Sequence, residues 1–347
     1  MKIGVKSIKE AENQHFMFFD YYISRKFNKE VIKYNSNLKS YHRLSNLEDP
    51  YIQHLSRFLF AEDTKNKKFY QKVIGVKPQE LYKLNTEFIN FIDNLFCKDT
   101  YETYLSLEKA KRNELKDIHD FFLTIEKIFN YDELTDALPN DAYSAYQLTK
   151  NIGVRTCVYC NRVYAITHNT KEGGKLMRPQ LDHWFPQSKY PLLAISFYNL
   201  IPSCTHCNSS VKGDKELDLK KHTNPYLVND EDDDFLFTYQ FNKSLREFEI
   251  QIQKTGSGTK NKDTLEFLKI NEMYDAHQDE LEDLLKIKQA YSREYVKTLR
   301  TTFPEANLTD DEIYRLAFGV ELHQKDFHKR PMSKFKYDIL KELGIIP

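Results

Sequence analysis

The chain has 347 residues with 51 Lys+Arg against 51 Asp+Glu, so no global charge draws it to nucleic acid or to an acidic surface. With 40% hydrophobic and 14% aromatic residues it is too apolar to be disordered and too rich in Phe and Tyr to be a linker. Its length fits about two domains of roughly 150 residues, large enough to bury cores without disulfides. The opening segment carries Lys2, Lys6, Lys9, Glu10 and Glu12 and no apolar block, which predicts no export and a cytoplasmic protein. The run 190–211 carries no charged side chain, but Pro191, Asn199, Pro202, His206 and Asn208 exclude a membrane span.

In chain order, residues 1–150 read as an N-terminal helical domain. Tyr101, Tyr104, Leu105, Leu107 and then Phe121, Phe122, Ile125, Ile128, Phe129 recur at helical spacing and are expected in a core. Cys97, in an apolar helical stretch, is assigned to the core as well. Residues 151–225 hold four of the five cysteines and the one clearly basic balance, 8 Lys+Arg to 3 Asp+Glu over 151–215. Strand-like runs at 163–168 and 176–183 flank KEGGK, predicting a hairpin that delivers His183 at its far end. Residues 226–347 open with an acidic run at 230–234, read as a solvated link. A second hairpin follows, in which Phe235, Phe237, Tyr239 and Phe248, Ile250, Ile252 alternate with polar residues. Next comes a helix striped with Leu281, Leu284, Leu285, Ile287, Tyr291, Tyr295 and Leu299. Thr309 and Glu312 form a capping box for a further helix. The fold class is therefore α+β, mostly helical.

Cys157 and Cys160 form CVYC, and Cys204 and Cys207 form CTHC. A two-residue spacer lets both thiolates of a turn face one ion, and Zn²⁺ accepts four sulfurs with no open position, so a structural zinc site is predicted. Four buried or redox-active cysteines are the alternative. His206, inside CTHC, is expected to point outward.

Between and after these turns the sequence reads LDHWFPQSKYPLLAISFYNLIPSCTHCNSSVKGDK. Asp182, His183, Asn199, the CTHC turn, Asn208 and a Lys212-Gly213 pair follow in order, and this segment resembles the HNH, or ββα-metal, endonuclease family over 153–216. The resemblance implies a ββα-metal core embedded in the helical protein and hydrolysis of DNA phosphodiesters, with RNA as the alternative substrate. His183 would be the general base that activates water, since neutral imidazole accepts a proton near pH 7. Asp182 and Asn208 would offer hard oxygen ligands to a catalytic Mg²⁺ or Mn²⁺, which stabilises the phosphate and the leaving group. Asn199 would brace the loop that orients the base. Lys212 and Lys215, at the end of a short helix opening at Asn208, are expected to contact the nucleic-acid backbone. Trp184, Phe185, Tyr190, Phe197 and Tyr198 are expected to fill the core beneath the site. More loosely, the C-terminal flow through NPYLVNDEDDDFLF and HKRPMSKFKYDILKELGI resembles PtuB-type HNH nucleases of Septu anti-phage defence, which implies an ATPase partner of the PtuA type. The competing reading is a zinc-stabilised nucleic-acid-binding or interaction module without catalysis.

Overall fold

The computed structural model describes residues 5–28, 43–139, 141, 143–227, 235–244, 246–255, 260–290, 298 and 308–346. The N-terminal part contributes α1 (Val5–Lys26), α2 (Pro50–Leu59), α3 (Phe69–Gly75), α4 (Pro78–Leu95), α5 (Thr100–Ser106), α6 (Lys109–Arg112), α7 (Lys116–Ile128), α8 (Asp132–Thr135) and α9 (Ala145–Ile152). Local chemistry sets their ends. The Asp49 carboxylate accepts from the N–H of Tyr51 at 2.8 Å, and Pro50 stands where a helix needs no N–H. Ser144 caps α9, and Gly153, at φ 73°, closes it in a conformation that costs glycine nothing. Of the expected aromatic stripe, Tyr101, Tyr104, Phe121, Phe122, Ile125, Ile128 and Phe129 are buried, with Tyr104 and Phe122 stacked at 4.0 Å. Cys97 corrects the reading that placed it in the core. It lies past the end of α4, exposed, with its thiol 3.1 Å from the Thr100 hydroxyl.

The central segment departs from the expected hairpin. β1 (His168–Asn169) pairs with β2 (Lys175–Met177) around the glycine turn, whereas Val163 and Tyr164 stay exposed and outside any strand. Pro179 has no N–H to give a ladder, and the chain breaks there. β3 (Gln180–His183) instead pairs antiparallel with β4 (Leu200–Ser203), setting Asp182 opposite Ile201 and His183 opposite Leu200. A single helical segment, His206–Lys212, follows β4, so a ββα unit is present. That segment is wound wide: the Gly213 N–H reaches back five residues to the Asn208 carbonyl at 2.7 Å. It begins two residues before Asn208.

The second hairpin forms as its alternation predicts, from β5 (Phe235–Asn242) and β6 (Glu247–Lys254). α10 (Lys260–Phe267), α11 (Ile270–Asp275), α12 (Gln278–Ala290), α13 (Asp310–Phe318) and α14 (Ser333–Glu342) complete the described chain. Thr309 and Glu312 form the expected capping box at α13. Leu281 and Leu284 are buried and Leu285 and Ile287 half-buried, while Tyr291, Tyr295 and Leu299 of that stripe, and the acidic run 230–234, lie outside the described residues.

Two hydrophobic cores divide the molecule. The first joins Ile8 through Val158 to Leu181, Trp184, Phe185, Tyr190, Phe197, Tyr198, Leu200 and Leu217. The second gathers Phe237, Ile250, Tyr274, Phe335 and Ile339 around Cys157, Cys160 and Cys207. The ββα unit is thus a seam: its apolar strands and loop belong to the N-terminal core, and its cysteine turns belong to the C-terminal one. Asn161, at φ 53°, fastens the seam by donating its amide to the carbonyls of Phe327 at 3.1 Å and Arg330 at 3.2 Å.

Candidate functional site

Fold-back of the chain between the cysteine turns brings the Sγ atoms of Cys157, Cys160, Cys204 and Cys207 within 4.8 Å of one another, as free thiols. Tetrahedral zinc with sulfurs at about 2.3 Å places them roughly 3.8 Å apart, so the cluster needs only a small contraction. The turn backbones face the sulfurs, with Arg162 N–H on Cys160 Sγ at 3.5 Å and Cys207 N–H on Cys204 Sγ at 3.4 Å. Burial pushes the Cys157 thiol up. Four thiolates this close repel one another unless a cation lies among them, and the donor set can hold a zinc ion. All four positions are protein sulfurs, so such an ion is structural.

The β3–β4 ladder carries the other constellation. A polar cleft of about 520 Å³ is lined by Tyr131, Arg178, Asp182, His183, Asn208 and Lys212, among others. His183 ends β3, where it leaves the strict alternation of the strand. Its Nε2 lies 2.9 Å from the Ala194 carbonyl, and its ring meets Tyr131 edge-on at 4.6 Å. A carbonyl only accepts, so Nε2 carries the proton and Nδ1 carries the lone pair. Burial lowers the His183 pKa to about 4, the Ala194 bond opposing and the Lys212 charge assisting, so the ring is neutral at pH 7.

Asn199 is fully buried and bonds backbone only. Its Oδ1 accepts from the Phe185 N–H at 2.7 Å, and its Nδ2 donates to the carbonyls of Leu193 at 2.9 Å and Phe185 at 3.2 Å. These bonds staple the chain after His183 to the loop that holds Ala194. Asn199 therefore sits behind the cleft rather than in it. Trp184, Phe185, Tyr190, Phe197 and Tyr198 are buried beneath it.

Asp182 and Lys212 are placed otherwise than the sequence suggests. Both are almost fully buried, and Lys212 Nζ lies 3.1 Å from Asp182 Oδ1 while donating to the His183 carbonyl at 2.7 Å. Asp182 Oδ2 accepts from the Tyr159 hydroxyl. Burial raises the Asp182 pKa, and Lys212 and Tyr159 pull it back. The Asn208 amide donates to Gln180 Oε1 at 2.8 Å. The expected Mg²⁺ or Mn²⁺ between Asp182 and Asn208 does not fit this donor set, because both Asp182 oxygens are engaged and the Lys212 ammonium occupies the cation position. Lys212 corresponds to no surface contact with a nucleic-acid backbone either. Its four-carbon stem reaches inward because Asp182 would otherwise be a buried, unpaired charge. Lys215 is exposed, donates to the Val211 carbonyl at 3.1 Å and does not line the cleft. His206 is exposed, as expected of it.

Sequence reasoning missed Tyr159, Gln180 and Arg178. Tyr159 sits inside CVYC, where the general expectation is an outward side chain, and no spacing signals that it turns toward Asp182. Arg178, half-buried in the cleft, was hidden among eight basic residues of its segment. Comparison with known families, characterised proteins and solved structures finds no match to this chain. Among the described residues no helix is long and apolar enough to cross a membrane.

Proposed function

We propose that this chain is a nuclease of the ββα type that hydrolyses DNA phosphodiesters with His183 as general base. One observation carries the reading. The neutral His183 ring is fixed by Ala194 through Nε2, which leaves the Nδ1 lone pair without a protein partner among the described contacts at the wall of a polar cleft. A general base needs that combination of proton state, orientation and access.

The step is simple in outline. A water loses a proton to Nδ1 as its oxygen bonds to phosphorus, the bond from phosphorus to the 3′ oxygen breaks, and that oxygen takes a proton from solvent. Arg178 lines the cleft without an ion pair among the described residues and supplies charge for the phosphate, whereas the Lys212 charge is balanced by Asp182. Asn199 holds the base indirectly, through the Leu193 to Asn199 loop. An ATPase partner, and a role in defence against phage, rest on the sequence resemblance.

The test is conversion of supercoiled plasmid to nicked or linear DNA by the zinc-loaded chain, alone and with a neighbouring ATPase, in Mg²⁺, in Mn²⁺ and in neither. Cleavage by wild type that His183→Ala loses supports the nuclease. A folded, zinc-loaded wild type that binds DNA and cuts under none of these conditions makes the non-catalytic binding module the better reading.

A further inference from the structure

Asp182 receives its two partners from two different cysteine turns. Tyr159 is the residue between Val158 and Cys160 in CVYC, and its hydroxyl donates to Oδ2. Lys212 closes the wide helical segment that starts within CTHC, and its ammonium meets Oδ1 at 3.1 Å. The turns themselves meet at the thiol cluster and through β4, where the Val158 N–H reaches the Pro202 carbonyl at 3.3 Å. Pro202 and Ile201 are the β4 residues that face Leu181 and Asp182 across the ladder.

We propose that Tyr159 and Lys212 are positioning residues that transmit the state of the four-thiol centre to Asp182, so that a zinc ion among the cysteines sets the floor of the cleft. The physical reason is short range. Four thiolates drawn together by an ion hold the first turn and the start of the helical segment in register, and each then delivers one short, buried hydrogen-bonding arm to a different oxygen of one carboxylate. When the thiols separate, the arms separate too, and a carboxylate with almost no solvent access loses partners that water cannot replace. The Lys212 arm also ends on the His183 carbonyl, so the disturbance reaches the backbone of the base.

Coupling of this kind is reciprocal: if the ion positions Asp182, then the Asp182 clamp helps to retain the ion. That gives a test independent of the nuclease reading, on which only the activity arm rests. The rate of zinc transfer from the full chain to a chromogenic chelator is compared for wild type, Tyr159→Phe, Lys212→Met, Asp182→Asn and His183→Ala. Tyr159→Phe removes one hydroxyl and keeps the ring, so it folds even where Lys212→Met fails. Loss of groups that help to hold a metal's ligands in place typically costs about tenfold or more in metal retention. Tyr159→Phe and Asp182→Asn are expected to release zinc about tenfold faster, their double variant no faster than the singles, and His183→Ala at the wild-type rate. In the cleavage assay, zinc-loaded Tyr159→Phe is expected to lose kcat with KM unchanged. Wild-type zinc release from both Tyr159→Phe and Asp182→Asn overturns the proposal. Absence of cleavage in wild type overturns the nuclease instead and leaves the release rates to decide the coupling.

Discussion

Two histidines lean on neighbouring carbonyls of one loop and come to different ends. His15, on α1 in the N-terminal core, places Nε2 2.6 Å from the Ile195 carbonyl, and His183 places Nε2 2.9 Å from Ala194. Burial lowers both to a pKa of about 4, so both rings are neutral at pH 7. The difference lies in the second nitrogen. His15 Nδ1 accepts from the Tyr143 hydroxyl at 3.2 Å, walled by Phe19 and Phe197, whereas among the described residues His183 Nδ1 has no such partner and its ring lines the cleft. Burial and a depressed pKa therefore do not separate the two rings. The proposed role of His183 as a base rests instead on an uncommitted lone pair at a cavity wall.

The sharpest break of that comparison is to remove each ring. His183→Ala is expected to reduce plasmid cleavage by about 10²–10⁴-fold while moving the urea midpoint little. His15→Ala is expected to do the reverse, costing about 2–4 kcal/mol of stability through a lost core ring and a buried carbonyl left unpaired, with the cleavage of the folded fraction retained. Paired urea melts and cleavage rates on the two variants decide it, and a catalytic loss in His15→Ala without unfolding would erase the distinction.

Acid probes His15 in the intact protein. Its proton binds near 6.5 in the unfolded chain but only near 4 in the folded one, so between those values the unfolded state holds more protons. Stability therefore falls as pH drops from 6.5 toward 4 and levels off below, by about 3 kcal/mol from this residue. His15→Gln does not titrate, so the gap between wild-type and variant stability, measured by urea melts at pH 7 and pH 4.5, should shrink by that order. A gap independent of pH would show that the folded chain binds the His15 proton as readily as the unfolded chain, so that burial does not lower its pKa.

Asn199 serves both histidines, because the loop it ties supplies both carbonyls. Asn199→Ala should cost about 2 kcal/mol, as several buried bonds go unmade, and should also slow cleavage without abolishing it. Stability lost with full activity retained would mean that the loop holds Ala194 by other contacts. The smallest effect is expected from Tyr143→Phe, which removes the partner of His15 Nδ1 for about 1 kcal/mol. It should create no new activity, since that nitrogen remains enclosed by Phe19 and Phe197.

The features legible in the sequence are those whose cause is local. The CVYC and CTHC turns each read as half of a possible metal site because two residues of spacing suffice to aim two sulfurs. The capping box at Thr309 and Glu312, the alternation of β5 and β6 and the buried aromatic stripe of α5 and α7 likewise depend on neighbours within a few positions. The strand before His183 was legible as a strand, but its partner was not. Pro179 removes it from the β1–β2 hairpin, and pairing with Leu200–Ser203 depends on how an apolar loop closes. Cys97 shows the same limit in reverse: its apolar surroundings in sequence end with α4, and the thiol faces outward.

By itself the sequence determined which residue types stand where: four thiols in two pairs, an Asp-His step at the end of a strand, one Asn before the CTHC turn and another directly after it. Tertiary structure alone decided their states. It turned Lys212 inward to neutralise Asp182, drew Tyr159 from the cysteine turn to the same carboxylate, closed one histidine and left the other open, and divided the ββα unit between two cores. The reason is that charge pairing, desolvation and access depend on which atoms meet across long separations in the chain. Residue type and spacing fix only which atoms are there to meet.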